Sequence, residues 1–188
     1  MSYDLIKRFI DIVGSLTVLF VFAPLLILLI FYMSILDRPV FFKQKRVGQY
    51  GRNFHLVKFR SMVIKKQQTE GEVFLNSPDV TTLGRVLRRL KIDELPQLFN
   101  VLKGEMSLIG PRPLLINPSG FYEEYNVERD SVKPGLTGLA QVNGNIFLTK
   151  DERFKLDSSY IKNASFKLDA YIVLKTFLVV LFGEKKFI

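Results

Sequence analysis

Residues 12–36 read IVGSLTVLFVFAPLLILLIFYMSIL, a run without Asp, Glu, Lys, Arg or His. Such a stretch belongs in lipid. As a straight helix rising about 1.5 Å per residue it suffices for a tilted crossing of a hydrocarbon core about 30 Å thick. A secretory signal fits less well, because the apolar region is too long and no small-x-small cleavage site follows it before Asp37-Arg38-Pro39. Two details bear on topology. Pro24, preceded by Ala23, falls at the midpoint, where it removes the amide that would bond the Phe20 carbonyl and bends a helix at a cost of about 3 kcal/mol. Lys7 and Arg8 precede the run, and Arg38, Lys43, Lys45 and Arg46 follow it, so both flanks carry the charge that favours the cytoplasmic side. A helix that enters, breaks and returns satisfies both flanks, provided the freed carbonyl finds a partner; Ser15 and Thr17 lie nearby. A straight span satisfies the length. On these facts both topologies stand.

Composition narrows the chemistry. The chain of 188 residues suffices for one globular domain plus an appendage, and its net charge of +9 suits an anionic partner such as nucleic acid, phospholipid headgroups or a nucleotide, among which charge alone does not choose. Without cysteine there is no disulfide framework or thiolate metal site, and a single histidine, His55, argues against a histidine cage or a Ser-His-Asp triad. No aromatic-basic interleaving of the kind that binds single-stranded nucleic acid stands out, so no nucleic-acid partner is expected.

Beyond the apolar run, Val40–Gln44 and Phe54–Phe59 are short aromatic and β-branched runs around a loop with Gly48 and Gly51, the pattern of a β-hairpin. Lys65–Asp79 is polar, with Gly71 and Pro78, and reads as an exposed loop. In Thr82–Leu90 the spacing puts Leu83, Val86, Leu87 and Leu90 on one helical face and Arg85, Arg88 and Arg89 on another.

Asp93 and Glu94 follow. Asp93 is placed to cap a new helix, with Pro96 in its first turn, Leu95, Leu98, Phe99 and Leu102 as a buried stripe and Gly104 as the stop. Carboxylates at a helix start are kept ionised by local amides, and adjacent residues point about a quarter-turn apart, so the two acids are expected to divide their roles. An isolated acidic pair near bases is more commonly a solvated salt-bridge patch. Gly110-Pro111-Arg112-Pro113 is rigid and holds Arg112 out as a pre-set cation, while Pro134–Gly144 has a Pro-Gly turn and glycines that let backbone approach a ligand. Phe166–Phe182 reads as an apolar-rich helix, core or membrane-surface.

Lys7-Arg8-Phe9-Ile10-Asp11, Lys58-Phe59-Arg60-Ser61-Met62, Asp93–Val101, Gly110–Pro113 and Pro134–Gly138 occur in the order found in bacterial sugar transferases. The chain resembles the small monotopic phosphoglycosyl transferases, close to the PglC type, from about Lys7 to the last helix. The resemblance implies an α+β, mainly helical fold: a re-entrant membrane helix over residues 1–38, broken at Ala23-Pro24, then a catalytic domain over 39–188 with a small β-hairpin and interfacial amphipathic helices. It implies a UDP-sugar donor, a polyprenyl phosphate acceptor, membrane lipids and Mg²⁺ as partners, and a location on the cytoplasmic face of the bacterial inner membrane. It fixes no oligomeric state. Asp93 would attack the β-phosphate, releasing UMP; Glu94, with Asp93, would hold metal; Arg88 and Arg112 would offset phosphate charge. Arg85, Asp157 and Asp169 would give support or nucleotide contact.

The chain departs from the family pattern in two ways. Ala23 stands where relatives often carry Ser or Thr, and Asn145 stands where many carry arginine; a small member without the large N-terminal extension of bigger relatives is expected. Two rival functions share the same features. One is a membrane-bound nucleotide-sugar hydrolase, and the other a non-enzymatic module that grips anionic lipid.

Overall fold

The computed structural model describes residues 3–36, 39–63, 77–116 and 128–183. The predicted loop over 65–79 lies almost wholly outside the described residues, as does Arg38.

Helix α1 runs Tyr3–Ile35 with Pro24 inside it, and is the one described helix long and apolar enough to cross a membrane. Its first turns belong to the folded domain. The Arg8 guanidinium donates to the carbonyls of Val101 (2.6 Å) and Leu102 (2.8 Å), and Lys7 and the Tyr3 hydroxyl each reach Asp169 at 2.8 Å. The buried Asp11 carboxylate accepts from the Ser107 hydroxyl (3.0 Å) and the Leu108 amide (2.9 Å). At the other end Met33 is buried with Phe59 and Leu87, and Leu26 and Leu29 pack beside them. Between these anchors the helix is bare: Phe20 is 82% exposed and Val21 64%. Thr17 donates to its own i−4 carbonyl, Val13, at 2.9 Å, so it does not serve the Phe20 carbonyl.

Strands β1 (Phe41–Val47) and β2 (Asn53–Phe59) form the predicted antiparallel hairpin, in a register pairing Phe41 with Phe59 and Val47 with Asn53. Phe54 and Leu56 face the core with Val101 and Met106, and strand alternation puts Lys58 on that same inner side. Phe59 faces the other way, onto α1. Helix α2 (Thr82–Arg89) is capped by the Thr81 hydroxyl, which accepts from the Gly84 amide at 2.9 Å. Its apolar face differs from the expected one. Val86 and Leu90 are 53% and 45% exposed, because Gly84 takes the buried position: a Cβ there would lie 2.0 Å from the Ser61 carbonyl oxygen.

Lys91, at φ 56°, reverses the chain into a 3₁₀ helix, Ile92–Gln97, that leads directly into α3 (Leu98–Lys103). Asp93 therefore lies inside a tight turn and is not an N-cap. Gly104, at φ 83°, ends α3 as predicted, but the stripe is Leu98, Asn100 and Val101, and Phe99 is 54% exposed. Two short parallel strands, β3 (Ser107–Ile109) and β4 (Gly135–Thr137), were not foreseen. Helix α4 (Leu139–Val142) precedes α5 (Lys150–Lys162), which starts on a Thr149–Glu152 capping box. Helix α6 (Phe166–Phe182) buries Asp169, Ile172 and Val179 and exposes Leu174, Phe177 and Leu181 at 65–72%, so it is core on one side and an apolar surface on the other.

The anchoring of α1 by Asp11 is open to test by thermal unfolding in detergent micelles. Asp11→Ala strands a buried hydroxyl and a buried amide and should cost about 1–3 kcal/mol, whereas Asp4→Ala, at an exposed position, should stay within about 0.5 kcal/mol of wild type. Equal effects at the two positions would contradict the assignment.

Candidate functional site

Asp93 and Glu94 sit on the 3₁₀ helix, between β2, α2 and the Gly110–Pro113 segment, and their environments differ. Glu94 Oε1 accepts from Lys58 Nζ at 2.6 Å and from Arg112 Nη2 at 3.3 Å. Burial works against the Glu94 charge, but Lys58, Arg112 and Lys91 outweigh it and hold its carboxyl well below the usual range. Asp93 is 5% exposed, and its carboxylate has no hydrogen-bond or ion-pair partner among the described residues. Burial, reinforced by the neighbouring Glu94 charge, raises its pKa, although Lys58, Arg88 and Lys91 pull it back. One acid is thus locked as a carboxylate by direct contact, and the other is surrounded by cations without being tied to one.

Specific packing sets these positions. Asn100 spans the β2 backbone: its amide donates to the His55 carbonyl at 2.8 Å and its oxygen accepts from the Val57 amide at 3.3 Å. This holds Lys58 one residue further along. Arg88 Nε donates to the Ser61 hydroxyl at 2.8 Å, and the close approach of Gly84 keeps α2 against that same segment. Burial lowers the Arg88 pKa, and Asp93 and Glu94 oppose the shift.

Arg112 owes its place to two motifs locked together. The Gly110 amide donates to the Thr137 carbonyl at 2.9 Å and the Gly135 amide to the Pro111 carbonyl at 2.8 Å. A Cβ on Gly135 or Gly138 would come within 2.1 Å of Gly110 backbone atoms. These glycines therefore admit the neighbouring backbone; the expected close approach to a ligand is a close approach to Gly110. Beside Arg112 a small cleft opens between Val47 and Gly48 at the hairpin tip and Pro113, with Arg129 and Asp130 also lining it.

Of the residues singled out from sequence, Asp93, Glu94, Arg88 and Arg112 are brought together. Arg85 lies exposed on α2. Asp157 is buried on α5 and paired with Arg129 at 2.8 Å; burial raises it to about 6, against the pull of Arg129 and Arg153. Asp169 belongs to the anchor of α1, where it also accepts from the Tyr160 hydroxyl at 2.9 Å, and the contacts to Tyr3, Lys7 and Tyr160 account for it without a nucleotide. Asn145 occupies a left-handed position at φ 46°, a conformation asparagine tolerates better than most residues. Sequence reasoning assigned no role to Lys58, Ser61, Lys91 or Arg129. Lys58 and Ser61 lie in a recognised motif, and alternation from Phe54 and Leu56 pointed Lys58 inward; no local signal marked Arg129.

No cluster of three or more Asp, Glu or His side chains exists among the described residues. The acid pair still suits magnesium, which commonly takes one or two carboxylates and completes its shell with water and substrate phosphate. Both direct contacts to Glu94 fall on Oε1, leaving Oε2 and the Asp93 carboxylate as acceptors for a cation.

Comparison with known proteins identifies the family. The bacterial sugar transferase family model matches residues 2–183. The chain is 40% identical over 181 residues to the uncharacterized sugar transferase EpsL of Bacillus subtilis, an alignment covering 96% of this chain and 89% of that protein. It is similar to the undecaprenyl-phosphate galactose phosphotransferase of Salmonella typhimurium, at 40% identity, with 96% of this chain aligned to 41% of that protein. The UDP-N-acetylgalactosamine-undecaprenyl-phosphate N-acetylgalactosaminephosphotransferase of Aeromonas hydrophila is 42% identical, with 96% of this chain on 45% of its length. The chain thus spans less than half the length of these two relatives. The family model over residues 2–183 and the 40% identity to a relative aligned over 96% of this chain establish that the chain belongs to the bacterial sugar transferase family.

Proposed function

We propose that the protein transfers a sugar 1-phosphate from a UDP-sugar to polyprenyl (undecaprenyl) phosphate, releasing UMP, as a first membrane step of bacterial glycan assembly. The observation that carries this reading is the asymmetry of the acid pair: Glu94 is bound by Lys58 and Arg112, while Asp93 is buried near cations without a direct partner among the described residues. Family membership supports the transferase class, and the names of the similar proteins support undecaprenyl phosphate as acceptor.

In the first step an Asp93 carboxylate oxygen attacks the β-phosphorus of the UDP-sugar. The bond from that phosphorus to the oxygen bridging the α-phosphate breaks, and UMP leaves with the electron pair. A sugar phosphate remains on Asp93 as an acyl phosphate. In the second step a phosphate oxygen of the polyprenyl acceptor attacks the same phosphorus, restores the carboxylate and forms the diphosphate-linked lipid. Bringing a carboxylate within 4 Å of one phosphate charge costs about 4 kcal/mol at an effective dielectric of 20, so cations must offset the repulsion. Arg88 and Lys91 lie on the Asp93 side, and Arg112 and Lys58 are joined to Glu94. Mg²⁺, held by Glu94 and Asp93, would supply further charge neutralisation on the diphosphate.

The same reading places α1 in the bilayer as a re-entrant helix with its bend at Pro24. What supports this is that both ends of α1 pack on one domain while its apolar middle is bare, as expected of a helix that returns to the side it entered. The catalytic domain then lies on the cytoplasmic face of the inner membrane, where UDP-sugar and lipid phosphate meet, and the exposed apolar side of α6 rests at the interface.

Incubation with a panel of UDP-sugars and Mg²⁺, without acceptor, tests the chemistry. The reading predicts a burst of UMP matching the enzyme and no sustained turnover, with Asp93→Asn releasing none; continued release of sugar phosphate would instead indicate hydrolysis by water. Since attack needs ionised Asp93 and its pKa is raised, the burst should fade as pH drops through a midpoint above the ordinary aspartate value of about 3.9. A midpoint at or below that value contradicts the assignment. Topology is read by labelling single cysteines placed before Lys7 and after Arg38 in intact membranes: both should react from the cytoplasmic side, and labelling from opposite faces would refute the re-entrant helix.

A further inference from the structure

Arg129 belongs to no recognised motif, yet it is among the most buried charges of the domain at 8% exposure. Its Nη2 donates both to Asp157 Oδ2 at 2.8 Å and to the Arg112 carbonyl oxygen at 2.9 Å. The guanidinium also lies 5.0 Å from the centre of the Phe154 ring, one turn before Asp157 on α5. Three groups on two separate parts of the chain thus fix one planar cation.

A buried ion pair is a poor device for stability alone, since well-packed apolar residues of similar volume often do as well or better. What this pair does locally is hold a specific carbonyl, and that carbonyl belongs to the residue whose side chain meets Glu94. Pro111 and Pro113 fix their own φ angles and restrict the residues before them, so little backbone freedom remains around Arg112. The Arg46 guanidinium donates to the Pro113 carbonyl at 3.0 Å, and the Gly135 amide to the Pro111 carbonyl at 2.8 Å. Three consecutive carbonyls, of Pro111, Arg112 and Pro113, are therefore each held from outside the segment.

We infer that Arg129, seated on Asp157 and Phe154, is a positioning residue that fixes the Arg112 carbonyl and thereby the angle at which the Arg112 guanidinium reaches Glu94 and the donor diphosphate. This rests on the phosphoglycosyl transfer reading given above. Arg129 touches no reacting atom in this account and acts only through Arg112. Replacing it with lysine keeps a charge for Asp157 but loses the planar fork that serves the carboxylate, the carbonyl and the ring together.

The test is a double-mutant cycle on UMP release with UDP-galactose, UDP-glucose and UDP-N-acetylgalactosamine as probes, in wild type, Arg129→Lys, Arg112→Lys and the double variant, with thermal unfolding recorded for each. Arg129→Lys should lower kcat by roughly 10- to 100-fold while KM for the donor changes less than about 3-fold. In the Arg112→Lys background the same change should cost less than about 2-fold, because the group it positions has already been altered. Equal fold losses in both backgrounds, or an unchanged kcat, would overturn the inference. If Arg129→Lys does not fold, Phe154→Leu, which removes the ring under the guanidinium, enters the same cycle with the same two outcomes. Failure of the underlying transfer reading shows separately, as the absence of an acceptor-independent UMP burst in wild type.

Discussion

One carboxylate oxygen joins the parts of this site. Glu94 Oε1 accepts from Lys58 on β2 and from Arg112 on the Gly110–Pro113 segment, while Glu94 itself rides on the 3₁₀ helix. Three chain segments separated by tens of residues meet at that atom. Taking such charges out of water costs several kcal/mol per ion, and removing one partner of a buried pair typically costs about 3–5 kcal/mol, so the surrounding packing has to hold all three in place together. The Asn100 clamp on β2, the bare Gly84 against Ser61 and the interlocked glycines at 110, 135 and 138 do this with hydrogen bonds and close backbone contact. The consequence for Asp93 is electrostatic: its neighbour is permanently charged, the cations nearby are shared, and its own carboxylate is left to meet something else.

The second constraint is where the site lies relative to the apolar helix α1. Lys7, Arg8 and Asp11 each bond into a different element, respectively α6, the end of α3 and β3, so α1 enters the domain as a structural member before it becomes apolar. Its far end returns to Phe59 and Leu87, next in the chain to Lys58 and Arg88. The apolar helix α1 and the acid pair thus lie on opposite sides of the same hairpin: the inner face of β2 presents Lys58 to Glu94, and the outer face carries Phe59 onto Met33. In the proposed reaction Asp93 meets both a soluble nucleotide and a lipid phosphate, and that adjacency serves both encounters.

Much of this was legible in the sequence, and the misses have separate causes. The absence of charge over 12–36 marks α1, aromatic alternation marks the hairpin, and Gly104 marks the end of α3, because each is a local signal. The parallel β3–β4 pair has three residues per strand and joins distant segments, so no periodicity announces it. The buried side of α2 was misjudged because a glycine, silent in any hydrophobic pattern, takes the inner position. Helix α5 went unmarked although its Thr149–Glu152 capping box was present. In the site, residue type and motif order singled out Asp93, Glu94, Arg88 and Arg112, but pairing across the fold decided the rest. Lys7 reads as a flank and Asp169 as support or a nucleotide contact, and the fold pairs the two; Arg129 stands out only once its three neighbours are known.

The central claim is that two adjacent carboxylates divide the work, Glu94 fixed by cations and Asp93 kept for covalent chemistry. Peptide mapping by tandem mass spectrometry, after UDP-sugar and Mg²⁺ are added without acceptor and the reaction is quenched in acid, addresses it most directly. The account predicts a sugar phosphate on Asp93 and none on Glu94. A modified Glu94, or complete UMP release with neither residue modified, would contradict it.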